Sequence, residues 1–322
     1  MSMRINYEGM KASGPPEVFD NTMLGTWATC PRRFFFFHAG LRSRGTPLYF
    51  TYGRAIGMAL NIWHQEKGQE SFPGEMRQML GIGAIRKVYE EEQPGAEGPG
   101  PVDNINGLKA CENTFVLYTT IYAGRDPWQT IKGEIGFQIP VPHTSFSYAG
   151  AMDAYIEWEP HGMLVREDKS TGAWIGPSYL NQFRQSTQVT GYYWALRETL
   201  GEEPFGVLVN AIGKRKRKEP EEQFSRWLEK RDEGYLELFL RETVLMVDDI
   251  RREWDRWQFP KYGERNSMNC SGGMGRSECP YRQLCLLPVP PWHPEFQGTF
   301  RLEEHYNMRS WSPWDRSGET EE

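Results

Sequence analysis

The backbone is most tightly constrained around Pro160-His161-Gly162, in the stretch "GAMDAYIEWEPHGMLVREDKST". Turn-forming residues between two runs that alternate apolar and polar specify strand, turn, strand. Side chains of a strand point to opposite faces in turn. Met152, Ala154, Ile156 and Trp158 therefore share one face, and Asp153, Tyr155, Glu157 and Glu159 the other. After the turn, Glu167 and Lys169 again share a face, next to Met163 and Val165. A pairing centred on Pro160 sets Asp153 opposite Glu167, because each lies seven residues from it. Opposed Cβ atoms on one sheet face are roughly 4.5–5.5 Å apart. Two carboxylates that close repel unless a cation lies between them. Hard oxygen donors suit Mg²⁺ or Mn²⁺ better than zinc, and a lysine beside buried positions needs a charged partner or a chemical task. The plain alternative is a set of unrelated surface charges.

The rest of the chain places this hairpin in a larger frame. With 322 residues, 39% of them hydrophobic, the chain can bury a large core in one domain or two. Residues 1–17 read as a loose lead-in, and 52–67 as a helix burying Ile56, Ala59, Leu60 and Trp63. The Gly- and Pro-rich "QPGAEGPGPVDN" is a loop before a second helix over 105–124. Short strands begin near Ile131. Residues 178–199 read as helical, "FGVLVNAI" as a buried strand, and the segment up to Trp257 as a strand and a long helix. The tail from 291 to 322 reads as an extended arm. Strands wrapped by helices make the class α/β. The polar N-terminus and the short "RFFFFHAGL" predict neither a signal peptide nor a membrane span, so a cytoplasmic protein is expected.

Two further groups carry chemical information. Gln188 and Tyr192 stand at i and i+4, on one helix face, with Gln185 a turn earlier. The net charge of −6 speaks against a wholly basic nucleic-acid binder. The run Lys214-Arg215-Lys216-Arg217-Lys218 is still either a solvated loop or the edge of a DNA groove. Twelve tryptophans could stack on bases, though tryptophan more often fills cores.

The five cysteines are the strongest functional signal. In a cytoplasmic chain they point to metal binding before disulfides. Cys30 lies in "TWATCPRRFFFF"; Cys270, Cys279 and Cys285 lie in "NCSGGMGRSECPYRQLC", with eight and then five residues between them. Four thiolates suit a structural zinc or an iron–sulfur cluster, and spacing alone does not choose. Cys111, in a helical pattern, reads as a core residue.

Taken in order, these motifs resemble the PD-(D/E)XK nuclease superfamily. The branch they resemble is that of the iron–sulfur, RecB-like exonucleases, which includes CRISPR-associated RecB-like nucleases, AddB-type helicase–nuclease subunits and phage exonucleases. "GAMDAYIE" matches its Gly-x-x-Asp strand, "VREDKST" its Asp/Glu-x-Lys strand, "QVTGY" its Gln-x-x-x-Tyr helix, and "CPYRQLC" its terminal cysteine motif. The resemblance implies a restriction-endonuclease-like core, a central mixed sheet flanked by helices. That core would span 18–290, with a helical insertion at about 60–130. It implies a four-iron, four-sulfur ([4Fe-4S]) cluster on Cys30, Cys270, Cys279 and Cys285 that joins the N- and C-terminal segments. It also implies Mg²⁺ or Mn²⁺ on Asp153 and Glu167, assisted by the carbonyl of Asp168. Lys169 would orient the attacking water, and Gln188 and Tyr192 would line the DNA-binding side. The implied activity is that of an exonuclease on single-stranded DNA or DNA ends, with a recombination, repair or phage replication protein as a further partner.

One position departs from that pattern. The family carries Gly-x-x-x-His on its first core helix, and here "GRAIG" puts Gly57 where the histidine belongs. His64 lies two turns further, about 10 Å by helix rise, and Asn61 about 6 Å along. Two other readings therefore stay open: a nuclease-like module that grips DNA ends or serves recombination with weakened cleavage, and a zinc-stapled structural protein.

Overall fold

The computed structural model describes residues 4–64, 72–93, 104–201, 203–257, 270, 278–287, 296, 300–312 and 314. In chain order its elements are α1 (Tyr7–Ser13), β1 (Val18–Asp20), α2 (Asn21–Thr29), α3 (Pro31–His38), β2 (Leu41–Ser43) and α4 (Leu48–Trp63). Next come α5 (Gly74–Glu92), α6 (Leu108–Tyr122), β3 (Gln129–Pro140), β4 (Ser147–Trp158), β5 (Gly162–Thr171), α7 (Pro177–Asn181) and α8 (Thr187–Leu200). β6 (Gly206–Gly213), a 3-10 turn at Pro220–Gln223, β7 (Phe224–Glu229), α9 (Glu233–Arg256), α10 (Arg282–Leu286), α11 (Leu302–His305) and β8 (Tyr306–Met308) complete the list. No described helix is long and apolar enough to cross a membrane.

The chain forms two compact units. Among the described residues, one comprises 4–44, 138–150 and those from 237 to 314; the other comprises Gly45–Phe137 and Ala151–Leu236. In the first, β1 pairs in parallel with Ser147–Ala149, the start of β4. The Asp20 carboxylate then caps α2, accepting from the Met23 N–H at 2.7 Å. Pro31 opens α3 at the position where a missing N–H is harmless. Within the segment read as a tail, β8 pairs antiparallel with β2, and the Tyr306 hydroxyl donates to the Pro280 carbonyl at 2.8 Å. Trp311, in the same segment, packs edge-on to Phe37.

The second unit holds a mixed sheet. β4 and β5 are antiparallel, with Ala154 opposite Arg166 and Trp158 opposite Gly162. β5 and β6 run parallel, β6 and β7 antiparallel, and β3 pairs with β4. β6 is buried along its whole length, as expected of a parallel strand covered on both faces. Ile56, Ala59, Leu60 and Trp63 of α4 pack with Ile85 and Val88 of α5, Cys111 and Phe115 of α6, and Ile212 of β6. Each of the isoleucine, leucine, valine and phenylalanine side chains among them contributes about 1.5–3 kcal/mol. The helical stretch expected over 178–199 forms two helices, α7 and α8, because the Ser186 hydroxyl accepts from the Val189 N–H (3.3 Å) and starts α8 afresh. Gly201, at φ 71°, ends α8 in the left-handed conformation that a side chain would resist.

Candidate active site

The register of the β4–β5 hairpin, continued one pair beyond Ala154 and Arg166, sets Asp153 against Glu167. The Asp168 N–H donates to Asp153 Oδ2 at 2.7 Å. Burial, then the neighbouring Glu167 and Asp168, pushes Asp153 well above the ordinary carboxylate range. Burial also raises Glu167, against the opposing pull of Lys169. Lys169 Nζ lies 2.5 Å from Glu167 Oε1. Burial disfavours its charge, but Glu167 and then Asp153 overcome that and hold it above its ordinary value. Glu167 Oε2 is buried and has no protein hydrogen-bond partner. A proton or a cation between the carboxyl groups relieves this arrangement, and an orphaned buried oxygen beside it is a free ligand position. The donor set, all oxygen, is of the kind that holds a hard divalent ion.

The α8 residues join this group through the lysine. Lys169 Nζ donates to Gln188 Oε1 at 2.9 Å, and Gln188 Nε2 donates to the Tyr192 hydroxyl at 2.9 Å. Tyr192 in turn packs edge-on to Phe137 of β3. Tyr179 of α7 also belongs here: its hydroxyl bonds Thr171, and it feels the charge of Lys169. No spacing rule in the sequence marks that tyrosine.

The Asp168 side chain lies on the other face of β5. Its Oδ1 accepts from Asn210 Nδ2 at 2.7 Å, and its Oδ2 is 3.3 Å from Arg166 Nη2. Its carboxylate is thus committed away from Asp153 and Glu167, leaving the backbone carbonyl as the group it can offer. Among the described residues, no set of three or more His, Cys, Asp or Glu side chains converges as a metal site. Arg166, fully buried, also donates to Asn61 Oδ1 (2.9 Å) and Thr130 Oγ1 (3.4 Å). A charge in step with Ala154, Ile156 and Leu164 was the sequence signal for this network, because a charge on an apolar face requires partners.

α4 settles the neighbourhood of the missing histidine. A Cβ built on Gly57 meets nothing within 4 Å. Asn61 is occupied by Arg166 and donates to Glu134 Oε1 at 3.1 Å. His64 is buried at the helix end, 3.1 Å from the Tyr118 hydroxyl and 3.4 Å from Asp126. Burial drives its pKa well down, with Arg166, Arg226 and Arg77 nearby. It is a structural residue.

The basic run is not uniform. Lys214 is buried; it donates to Asn106 Oδ1 at 2.8 Å and lies 4.4 Å from the centre of the Tyr52 ring. Burial pushes it down to about 8. Arg215, Lys216 and Lys218 are exposed, and Arg217 is half-buried.

In the other unit, the cysteine thiols come within electrostatic reach of one another. Burial raises Cys279, and Cys270 and Cys30 add to it. Burial pushes Cys285 up to about 11, with Arg32 opposing and Cys279 and Cys30 adding. The Cys279 N–H donates to the Cys270 carbonyl at 3.3 Å. Residues 258–269 and 271–277, which flank Cys270, lie outside the described residues. Cys111 is buried in the α4–α6 core.

A family model described as the PD-(D/E)XK nuclease superfamily matches residues 22–286. Comparison with curated proteins finds no match. Among solved structures, the chain is similar to a "Putative exonuclease" from Eubacterium rectale, at 11% identity over 78% of this chain and 84% of that one, with a TM-score of 0.47. It is also similar to an alkaline exonuclease from Laribacter hongkongensis, at 12% identity over 65% and 95% of the two chains, with a TM-score of 0.29.

Proposed function

The chain belongs to the PD-(D/E)XK nuclease superfamily, and we propose that it is a metal-dependent DNA nuclease, an exonuclease acting on single strands or DNA ends. The observation that carries this reading is the Asp153–Glu167 pair, Glu167 buried and Asp153 half-buried, with Lys169 on the same strand face. Asp153, Glu167 and the Asp168 carbonyl would hold Mg²⁺ or Mn²⁺. Such an ion, when bound, activates water and offsets charge on the phosphoryl group. The chain's own residues do the rest. Lys169, kept protonated by its two carboxylate neighbours, donates to the attacking water or to a phosphate oxygen. Gln188 fixes the direction of that ammonium, and Tyr192 fixes Gln188. In the hydrolysis itself, a water oxygen bonds to phosphorus, one P–O ester bond breaks, and the departing oxygen gains a proton. A second cofactor, an iron–sulfur cluster on Cys30, Cys270, Cys279 and Cys285, is proposed from the cysteine spacing and from the mutual influence of these thiols on one another's ionisation. Incubating end-labelled single-stranded and duplex DNA with the protein and Mn²⁺ tests the reading. Release of mononucleotides supports it, and intact DNA in both Mg²⁺ and Mn²⁺ overturns cleavage as the function.

Gly57 favours one further reading, a module that binds DNA ends and cleaves weakly. The open space at its Cβ turns this into an experiment. Gly57→His is expected to lower the Mn²⁺ concentration for half-maximal cleavage by roughly 10-fold, on the scale of adding a supporting group to a metal site. Glycine inside a helix is itself unfavourable by about 1 kcal/mol, so the variant should not lose stability. An unchanged metal requirement would remove α4 from the site.

The exposed basic residues would track the DNA backbone. Neutralising Arg215, Lys216 and Lys218 together is expected to weaken binding to single strands and flatten its salt dependence. The slope of log K against log salt should fall by up to about 2 units, since fewer counterions are released. The same slope in variant and wild type would return this loop to solvent.

A further inference from the structure

We propose that Trp174 is a stacking platform for an unpaired base of the DNA strand held at Asp153, Glu167 and Lys169. This rests on the nuclease reading and narrows its substrate to single-stranded or frayed DNA. Trp174 follows Lys169 by five residues and is 59% exposed, a costly placement for the largest apolar side chain. Five residues span roughly 17 Å at full extension, so the indole stays within a few nucleotides of the lysine.

The loop that carries it is held from several sides. The Ala173 N–H donates to Thr171 Oγ1 at 3.0 Å, and Arg217 Nη2 donates to the Ala173 carbonyl at 3.4 Å. β6 ends beside it: Thr171 pairs with Gly213, and the Lys214 N–H donates to the Thr171 carbonyl at 2.8 Å. Thr171 also bonds Tyr179, the tyrosine that feels Lys169. Loop and site thus share one anchor.

Gly176 seats the indole. A Cβ there would collide with Cζ3, Cε3 and Cη2 of Trp174, so the six-membered ring lies against a bare Cα. The backbone at Gly176, φ −127° and ψ −175°, is one that any residue adopts, so the glycine serves the ring and not the turn. Arg215, Lys216 and Lys218 are exposed on the neighbouring segment, and Arg217 touches the loop itself. An aromatic face beside a cationic track matches a single strand, which offers bases and phosphates together. A duplex hides its bases, and an apolar protein partner would have no use for the cations.

The test is an anisotropy titration of labelled oligonucleotides in EDTA, where nothing is cleaved, with cleavage in Mn²⁺ measured separately. Trp174→Ala should weaken binding of a single strand about tenfold, the size of one lost base–aromatic stack. Trp174→Phe should recover most of that loss. Gly176→Ala should reproduce Trp174→Ala by displacing the ring. A blunt duplex, and a strand made abasic throughout, should bind Trp174→Ala and wild type alike. Equal losses on single strand and duplex would overturn the proposal, and so would a Trp174→Ala protein that binds single strands as tightly as an active wild type. A wild type that binds no DNA would overturn it together with the nuclease reading. One that binds single strands through Trp174 without cleaving them would leave stacking standing and remove the catalytic function alone.

Discussion

Asp153→Ala is expected to abolish DNA cleavage in Mg²⁺ and in Mn²⁺, and more metal should not restore it. The substitution leaves Glu167 as the one side-chain carboxylate of the pair, already 2.5 Å from the Lys169 ammonium. It also strips the Asp168 N–H of its acceptor, Asp153 Oδ2. Lys169→Ala should behave differently. Both carboxyl groups remain, and the ammonium that competes with a cation for Glu167 is gone, so metal and DNA binding should persist. Turnover should fall by roughly 10²- to 10³-fold, the usual loss when one donor to a developing charge is removed. The defect should appear in kcat with KM little changed. A metal titration of cleavage, with DNA affinity measured in parallel, separates the two roles. Wild-type cleavage by Asp153→Ala would falsify the site.

Cys285→Ser is expected to bleach the protein and lower its stability by about 2–5 kcal/mol, the scale of losing a crosslink across a long loop. The reason is linkage: the proposed cluster would draw its ligands from both ends of the chain, so its binding would be part of the folding free energy. Anaerobic purification followed by visible absorbance and urea unfolding reads both effects. Cys111→Ala is the control; that residue is packed between helices, and its loss should leave the colour intact. A coloured and fully stable Cys285→Ser protein would sink the shared cluster. A colourless wild type carrying one zinc would assign the thiols to a structural zinc.

The amino-acid order alone carries the parts of this protein that depend on near neighbours. Strand alternation and the Pro160–Gly162 turn are matters of local sterics, so the hairpin and its register could be read before any fold was known. The buried stripe of α4 follows from a helical period in the same way. Cysteines at both ends of the chain are visible as composition and spacing.

What stayed hidden depends on contacts between residues far apart in the chain. The helical stretch expected over 178–199 divides because Ser186 can bond its own backbone or leave it to the helix, and propensity alone does not choose. Lys214 looked like one of five solvated cations until Asn106 and the Tyr52 ring closed over it. Gln188 was legible as a helix-face residue. Its hold on Lys169 follows from α8 packing over β5, a pairing that no local pattern encodes. The orientation of Asp168 follows from Asn210 on β6 and Arg166 on its own strand, and the open side of Gly57 from where α4 lies. Period and turn chemistry act over a few residues and survive in the bare sequence; burial, ion pairing and free space are set when distant segments meet.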